Sequence, residues 1–248
     1  MRIHRIYHPD ILQVGSHVTL DTNATRHVAQ VLRLEKDNPI VLFDGSGTDY
    51  AAKLTQCSKQ ECQAQVTGIS SQEAPSPLSL QLALGISRGE RMDFSLQKAV
   101  ELGVNTISPL FTERTMVKLK GERLQQRLTH WQGIIRHACE QSGRSRLPVL
   151  NPAQPLADGL THFAGQRLLL DHRATQTLKQ IPPPQDRLTL LVGPEGGLSE
   201  NERKLATRQG FTAIRLVPRV LRTETAPLAA LAAIQALWGD FQETPGLN

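Results

Sequence analysis

The segment Val192-Gly-Pro-Glu-Gly-Gly-Leu-Ser199 has the composition of a ligand-binding loop. Residues 188–192 form an apolar run that predicts a buried strand, and Ser199 with Glu202 predicts the capping box of a following helix. Ligands bind beyond the carboxyl ends of parallel strands, and glycines let a backbone approach them closely. The position and composition of the loop therefore indicate a cofactor site, although a tight strand-to-helix turn would also require glycines at these positions.

The chemistry of this loop argues against an ordinary phosphate site. No Gly-Lys-Ser/Thr sequence follows it, and the spacing Gly-x-Gly-x-x-Gly is absent. The carboxylate of Glu195 would repel a phosphate group. A ligand with a cationic centre, or one with hydroxyl and amino donors, is therefore favoured.

A second polar segment, Leu221-Arg-Thr-Glu-Thr-Ala-Pro227, also follows a predicted strand and precedes a predicted helix. Capping of that helix requires only one or two of the polar side chains and leaves Arg222 without a role. Two such loops after two strands are expected to form adjacent walls of one pocket.

The elements that must position these loops alternate between strand and helix from residue 78 onward. Apolar runs predict strands at 78–86, 105–110, 167–170, 188–192 and 213–216. Helical spacing of apolar residues and capping signals predict helices at 91–102, 121–142, 199–210 and 227–239. This alternation predicts an α/β domain with a mainly parallel sheet.

The first 72 residues follow a different pattern. Short β-rich runs at 17–20, 39–43 and 62–67 are separated by turn signals, and one helix is predicted from residue 23. Several short strands over this length favour a small β-barrel. Residues 70–77 have linker composition, so the predicted domains are 1–72 and 73–248.

Composition limits the class of protein. The 248 residues carry a formal net charge of +5, and 39% of them are hydrophobic, as in ordinary globular proteins. No apolar run is long enough for a membrane span, and the first residues lack the apolar core of a secretion signal. The three cysteines show no second Cys/His pair at zinc-like spacing, so we expect no metal site and a cytoplasmic location.

The positive charge is concentrated between residues 113 and 146. Eight basic side chains lie in this stretch against three acidic ones. A surface that contacts phosphates requires such clustering, but a solvated helix face can produce it equally well. Charge alone leaves both interpretations open.

The combined motifs resemble the SPOUT methyltransferase superfamily and, within it, the ribosomal RNA small subunit methyltransferase E family. The resemblance begins with Gly193–Gly197, Ser199 and Glu202, followed by Leu221–Ala226. Further segments that resemble the family are Gln97–Val104 with Pro109-Leu110 and Glu113-Arg114, Glu140–Arg144, and His27–Arg33. These segments span nearly the whole chain in the family's order.

The resemblance implies a PUA-like RNA-binding β-barrel at 1–72 and a SPOUT α/β domain at 73–248 with a parallel sheet and a deep trefoil knot. It implies a homodimer that uses S-adenosylmethionine to methylate N3 of a uridine in 16S ribosomal RNA, near the decoding site and within the 30S subunit. The chain has Val217 where the family usually has glycine. A β-branched residue does not easily adopt positive φ, and it adds bulk beside the expected cofactor pocket.

The resemblance, together with the residue types and their places at strand ends, predicts three sets of site residues. The catalytic set is Arg222, Thr223 and Glu224. The cofactor-binding set is Gly193, Glu195, Gly196, Gly197, Leu216, Val217, Pro218, Leu221 and Thr223. The RNA-binding set is Arg2, Arg5, His27, Arg33, Arg88, Arg114, Lys118 and Arg144.

Two other functions remain open at this level. One is a relative in the same superfamily that methylates ribose 2′-oxygens; the segments Gln97–Gly103 and Glu140–Arg144 favour the uridine-N3 group instead. The other is a ribosome-assembly RNA-binding protein without catalysis, which only Val217 favours.

Overall fold

The computed structural model describes residues 3–241. The chain divides into two compact units, of which the first comprises residues 1–75 with 136–147 and the second comprises 76–135 with 148–248. The first boundary lies three residues beyond the predicted one. The assignment of residues 136–147 to the first unit was not predicted, because it depends on long-range packing.

The first unit contains a five-stranded sheet in the order β1-β3-β4-β5-β2. β1 and β3 are parallel, and the other neighbouring pairs are antiparallel. A short helix, α1, continues directly into one π-helical stretch, His27–Val31. The bounds are β1 His4–Tyr7, β2 His17–Thr19, α1 Thr22–Arg26, β3 Pro39–Phe43, β4 Thr48–Cys57 and β5 Cys62–Gln72.

In this unit the structure differs from the sequence-based predictions in two places. Residues 70–72, which were assigned to the linker, belong to β5, because Ser71 and Gln72 pair with Asp49 and Thr48 of β4. Cys57 and Cys62 form a disulfide at the end of the same hairpin. The strand register brings these two cysteines together, and their sequence spacing alone did not predict it.

The second unit contains a seven-stranded parallel sheet in the order β12-β10-β11-β6-β7-β8, with β9 also pairing to β7. The predicted parallel α/β architecture is therefore confirmed. The strands are β6 Ser79–Gly85, β7 Thr106–Phe111, β8 Val149–Leu150, β9 Gln154–Pro155, β10 Gln166–Leu170, β11 Arg187–Val192 and β12 Thr212–Ile214. The helices are α2 Gly89–Glu101, α3 Gly121–Ser142, α4 Leu156–Gly159, α5 Glu200–Arg208 and α6 Thr225–Trp238.

The sheet order explains why the two predicted loops meet. β10, β11 and β12 are neighbours in the sheet, and all run in the same direction. The chain segments after Leu170, Val192 and Ile214 consequently leave the sheet at one edge. β12 is shorter than predicted and ends before Leu216, which frees residues 215–224 to form a long loop before α6.

Within residues 3–241, no helix is both long and apolar enough to cross a membrane. The same part of the chain shows no cluster of three His, Cys, Asp or Glu side chains that could hold a metal ion. The trefoil knot stays a prediction.

Candidate functional site

A cavity of about 220 Å³ lies at the carboxyl edge of β10, β11 and β12. Both sequence-predicted loops line it, and so does the segment that follows β10. From the predicted cofactor set, the lining residues are Gly193, Glu195, Gly196, Gly197, Leu216, Val217, Leu221 and Thr223. Pro218 is exposed and lies outside the lining.

The glycines of the first loop are required by its geometry. Gly197 has φ +65, and its amide donates to the carbonyl of Pro194 at 2.8 Å. A Cβ on Gly193 would lie 2.9 Å from the backbone nitrogen of Leu198. Gly85 at the end of β6 is equally constrained, because its Cβ would lie 2.5 Å from Cδ of Pro194. Three backbone segments therefore approach one another more closely than side chains would allow.

Glu202 connects the loop to the neighbouring strand. Its Oε2 accepts from the amide of Ser199 at 2.8 Å, while Ser199 Oγ accepts from the Glu202 amide at 3.2 Å, which confirms the capping box. Its other oxygen, Oε1, accepts from the amide of Glu113 just after β7, also at 2.8 Å. The Glu202 side chain is buried, so one carboxylate fixes the entrance of α5 and the exit of β7 together.

Arg114 braces the same loop from the β7 side. Its Nη1 donates to the carbonyl of Gly196 at 2.8 Å, and a Cβ on Gly196 would lie 3.0 Å from Cβ of Arg114. Arg114 was predicted to contact RNA. In the structure, Arg114 contacts the glycine-rich loop, and much of its side chain is exposed.

Two carboxylates of the site face one guanidinium. Oε1 of Glu195 accepts from the amide of Arg88 at 2.9 Å and lies 3.6 Å from Nη1 of Arg91. Oε2 of Glu224 lies 3.9 Å from Nε of Arg91. Oε2 of each glutamate is buried and has no hydrogen-bond partner among the described residues.

The second loop presents Arg222 to solvent. Its carbonyl accepts from the amides of Thr225 and Ala226 at 3.0 and 2.9 Å, and this pairing begins α6. Its guanidinium has no hydrogen bond or ion pair within the described part of the chain.

Val217 adopts an ordinary backbone conformation. Among the described non-glycine residues, positive φ occurs only at Arg33 and Asp37. The backbone strain expected from valine at this position is therefore absent. Val217 is one of the residues that line the cavity.

The segment after β10 belongs to the same cavity and was not predicted from the sequence. Asp171 accepts at Oδ1 from the Arg173 amide at 3.0 Å, and its Oδ2 lies 3.3 Å from Nε of Arg203. Its own amide donates to the carbonyl of Ile214 at 3.0 Å. The polar run Asp-His-Arg directly after the 167–170 strand was the available signal, by the same reasoning that selected the other two loops.

The predicted RNA-binding residues of the first unit have diverse environments. Arg5 bonds Asp49, and its Nη2 donates to the carbonyl of Arg144 at 2.9 Å, with only 16% of the side chain exposed. Arg144 is 12% exposed and lies 3.8 Å from Glu73. The buried Asp49 engages Arg5 and the partly exposed Glu73 lies beside Arg144, so acidic partners in the chain already face both guanidinium groups. The RNA contacts of these two arginines stay predictions. Arg2 lies outside the described residues.

His27 and Arg33 differ in exposure and charge. Burial lowers the pKa of His27, whose ring packs edge-on against His137. The fold therefore disfavours the protonated, cationic form of His27, which is the form that attracts phosphate. Arg33 is exposed. In the second unit, the predicted Arg88 and Lys118 are exposed as well.

Comparison with known proteins agrees with this architecture. Residues 74–235 match the RNA methyltransferase domain family, and residues 20–67 match the RNA methyltransferase PUA domain family. Ribosomal RNA small subunit methyltransferase E of Buchnera aphidicola from Schizaphis graminum is 33% identical over 97% of this chain and 98% of its own length. The chain belongs to the ribosomal RNA small subunit methyltransferase E family.

Two solved structures resemble the whole chain of this methyltransferase E family member. Ribosomal RNA small subunit methyltransferase E from Neisseria gonorrhoeae, bound to S-adenosyl methionine, is 43% identical with a TM-score of 0.93 and covers 97% of this chain and 100% of its own. A putative methyltransferase from Legionella pneumophila, in complex with the same cofactor, is 38% identical with a TM-score of 0.92, again over 97% and 100%.

Proposed function

We propose that this protein transfers a methyl group from S-adenosylmethionine to N3 of a uridine in 16S ribosomal RNA, with the 30S subunit as its substrate particle. The observation that carries the proposal is the single cavity that joins the Val192–Ser199 loop to the Leu221–Pro227 segment. The solved relatives that resemble the whole chain bind the same cofactor.

The residues of the cavity suit this donor. S-adenosylmethionine carries its methyl group on a sulfonium, which makes that carbon an electrophile, and it also offers amino and hydroxyl donors. Glu195 lines the cavity and has a buried oxygen without a partner in the described chain. A carboxylate at this position suits a cation or a hydroxyl donor and disfavours a phosphate. The closely packed glycine backbone at Gly193 and Gly197 provides amides and carbonyls for the rest of the ligand.

We assign cofactor binding to those members of the predicted cofactor set that line the cavity. Val217, Leu216 and Leu221 supply apolar surface, and Thr223 supplies a hydroxyl group. Pro218, outside the lining, restricts the backbone between them through its fixed φ.

Arg222 is the proposed catalytic residue. Methyl transfer forms the N3–carbon bond as the carbon–sulfur bond breaks, and N3 becomes nucleophilic only after it loses its proton. A guanidinium beside the uracil oxygens stabilises the resulting anion. The exposed Arg222 side chain, which has no partner in the described chain, is free to approach an entering base. Glu224 has a supporting role, because its carboxylate lies beside Arg91 and helps to hold the loop.

The first experiment identifies the product. Purified protein and S-adenosylmethionine are added to unmodified 30S subunits and to naked 16S ribosomal RNA, and nucleosides are analysed by mass spectrometry. We expect N3-methyluridine on the particle. A 2′-O-methylated nucleoside would assign the protein to the ribose-methylating group, and calorimetry without a heat of cofactor binding would support a non-catalytic RNA-binding protein.

The second experiment tests Arg222. Single-turnover methylation by Arg222→Ala should be slower by about 100-fold or more, as expected for losing one charge-stabilising donor. Arg208→Ala, at the exposed end of α5, is the matched control. A rate for Arg222→Ala within threefold of the wild type would exclude the catalytic role.

We also propose that the protein is a cytoplasmic homodimer with a trefoil knot in its second unit, as the family resemblance implies. Sedimentation equilibrium should give twice the 27.4 kDa chain mass. A monomer at micromolar concentration would contradict the homodimer.

A further inference from the structure

The cavity has more positive charge than its cofactor explains. Within the described chain, its lining includes five arginines but only two carboxylates, Asp171 and Glu195. S-adenosylmethionine has a sulfonium, an ammonium and one carboxylate, so its own net charge is positive. The single carboxylate of this cofactor cannot engage all of these arginines, so the remaining ones are available to a second, anionic partner. The five arginines are Arg114, Arg173, Arg203, Arg215 and Arg219.

Two of these arginines are engaged by the protein itself. Arg114 donates to the carbonyl of Gly196. Arg203 lies 3.3 Å from Asp171 and donates to the carbonyl of Leu198 at 2.7 Å. Both therefore have structural roles in holding the cavity wall.

The remaining three, Arg173, Arg215 and Arg219, form what we call the arginine rim. Arg173 lies 3.7 Å from Asp171, but its side chain is 55% exposed and Asp171 is already paired with Arg203. The side chains of Arg215 and Arg219 have no hydrogen bond or ion pair among residues 3–241. Arg173 and Arg219 are exposed and Arg215 is partly buried, and an anion bound among these like charges would reduce their mutual repulsion.

The backbone that supports the rim is well connected. Leu170 pairs with Ile214 in the parallel ladder of β10 and β12, so Asp171 and Arg215 leave the sheet side by side. The amide of Arg215 donates to the carbonyl of Gln176 at 2.8 Å, and Arg215 forms a bridge with Thr177. The loop after β10 and the loop after β12 are thus joined at the base of the rim.

We propose that the arginine rim binds phosphate groups of the RNA strand next to the target nucleotide, and so positions the base over the donor. Guanidinium groups donate two hydrogen bonds to a phosphate and keep their charge at any physiological pH. This inference rests on the proposed function and names three residues that bind the substrate of that reaction. None of the three belonged to the RNA-binding set predicted from sequence.

The experiment measures RNA affinity as a function of salt. The probes are an unmodified 16S ribosomal RNA transcript and S-adenosylmethionine, and the proteins are the wild type, Arg215→Gln, Arg219→Gln and the triple variant that also has Arg173→Gln. Each lost phosphate contact should reduce the slope of log affinity against log salt by about 0.7 between roughly 50 and 200 mM salt. Each single variant should bind RNA about tenfold more weakly at low salt. Cofactor affinity, measured by calorimetry, should stay within twofold of the wild type.

Arg187→Gln is the matched control. Arg187 begins β11, at the opposite end of the strand from the cavity loop, and its side chain is 63% exposed. The control should leave the slope unchanged. An unchanged slope in the triple variant, with melting temperature preserved, would overturn the rim while leaving the proposed function intact.

Two other outcomes also decide the matter. Weaker cofactor binding with an unchanged RNA slope would assign the rim to the cofactor carboxylate and overturn the proposal. A wild-type protein that methylates no RNA would instead contradict the proposed function itself.

Discussion

Arg91 on helix α2 places its Nη1 3.6 Å from Oε1 of Glu195 in the glycine-rich loop. Through Nε, the same guanidinium lies 3.9 Å from Oε2 of Glu224 in the second loop. One cation therefore faces a carboxylate from each of the two segments that were selected from sequence. It reduces the repulsion between the two carboxylates and fixes their relative position.

Arg91→Gln should weaken cofactor binding by about threefold to fivefold. The Arg91 side chain is 54% exposed, and contacts of this kind contribute under about 1 kcal/mol each. Calorimetric titration with S-adenosylmethionine measures the effect. Lys98→Gln, which removes an ion pair with Glu101 on the same helix, is the control and should bind normally. Equal affinities for the two variants would contradict a positioning role for Arg91.

Glu202→Gln should destabilise the second unit. The substitution places an amide donor against the backbone amide of Glu113 or Ser199, and the cost of an unsatisfied buried group is about 1–3 kcal/mol. For a unit of this size each 1 kcal/mol lowers the melting temperature by about 2–4 °C, so we expect a fall of about 2–12 °C. Glu200→Gln, on an exposed position of the same helical turn, is the comparison and should melt like the wild type. Hydrogen exchange should also increase at Glu113 and Ser199 in Glu202→Gln.

Gly85→Ala should displace the cofactor loop. Its new Cβ would lie 2.5 Å from Cδ of Pro194 and 2.6 Å from the backbone nitrogen of Pro194, and a proline ring cannot rotate away. We expect cofactor affinity to fall by more than about tenfold, equivalent to 1.4 kcal/mol.

Gly133→Ala is the control for Gly85→Ala, because it adds the same Cβ at a glycine with open space around it. Gly133 lies within α3, and a Cβ there would meet no atom within 4 Å. Alanine at this position should stabilise the helix by about 0.5–1 kcal/mol and leave cofactor binding unchanged. Normal cofactor binding by Gly85→Ala would show that the loop tolerates the displacement.

His137 should make the stability of the first unit depend on pH. Its Nδ1 is hydrogen-bonded to Oε2 of Glu140 at 3.2 Å, which raises the pKa of His137 above the ordinary 6.5. A raised pKa means that the protonated form stabilises the fold: the contribution is complete below pH 6.5 and is lost as pH rises through the folded value. The melting temperatures of wild type and His137→Gln should therefore converge as pH rises above 6.5.

His27 acts in the opposite direction, because burial lowers its pKa and the fold disfavours its protonation as pH falls below 6.5. It is present in both proteins of the comparison, but His137 also contributes to lowering its pKa, so His27 should be protonated more readily in His137→Gln. His17→Gln, at an exposed strand position, controls for the change in histidine number. The difference in melting temperature between the wild type and His137→Gln should therefore change between pH 5.5 and 8.5. A constant difference over this range would contradict the assignment to the His137–Glu140 pair.

The sequence by itself determined the parallel α/β unit, the bounds of β3 and α3, the capping box of Ser199 and Glu202, and the two loops that line the cavity. All of these features can be predicted from local sequence patterns, because apolar periodicity and capping involve residues only a few positions apart.

The tertiary structure decided which charges have partners. Arg5 and Arg144 resemble phosphate-binding residues in the sequence, yet Asp49 and Glu73 pair with them. Arg215 and Arg219 were not predicted to bind RNA, yet they line the cavity, and their side chains have no partner among residues 3–241. The tertiary structure also places residues 136–147 in the first unit and gives Val217 an ordinary backbone conformation. Burial, ion pairing and backbone conformation at a given residue depend on segments far away in the chain, which no local pattern records.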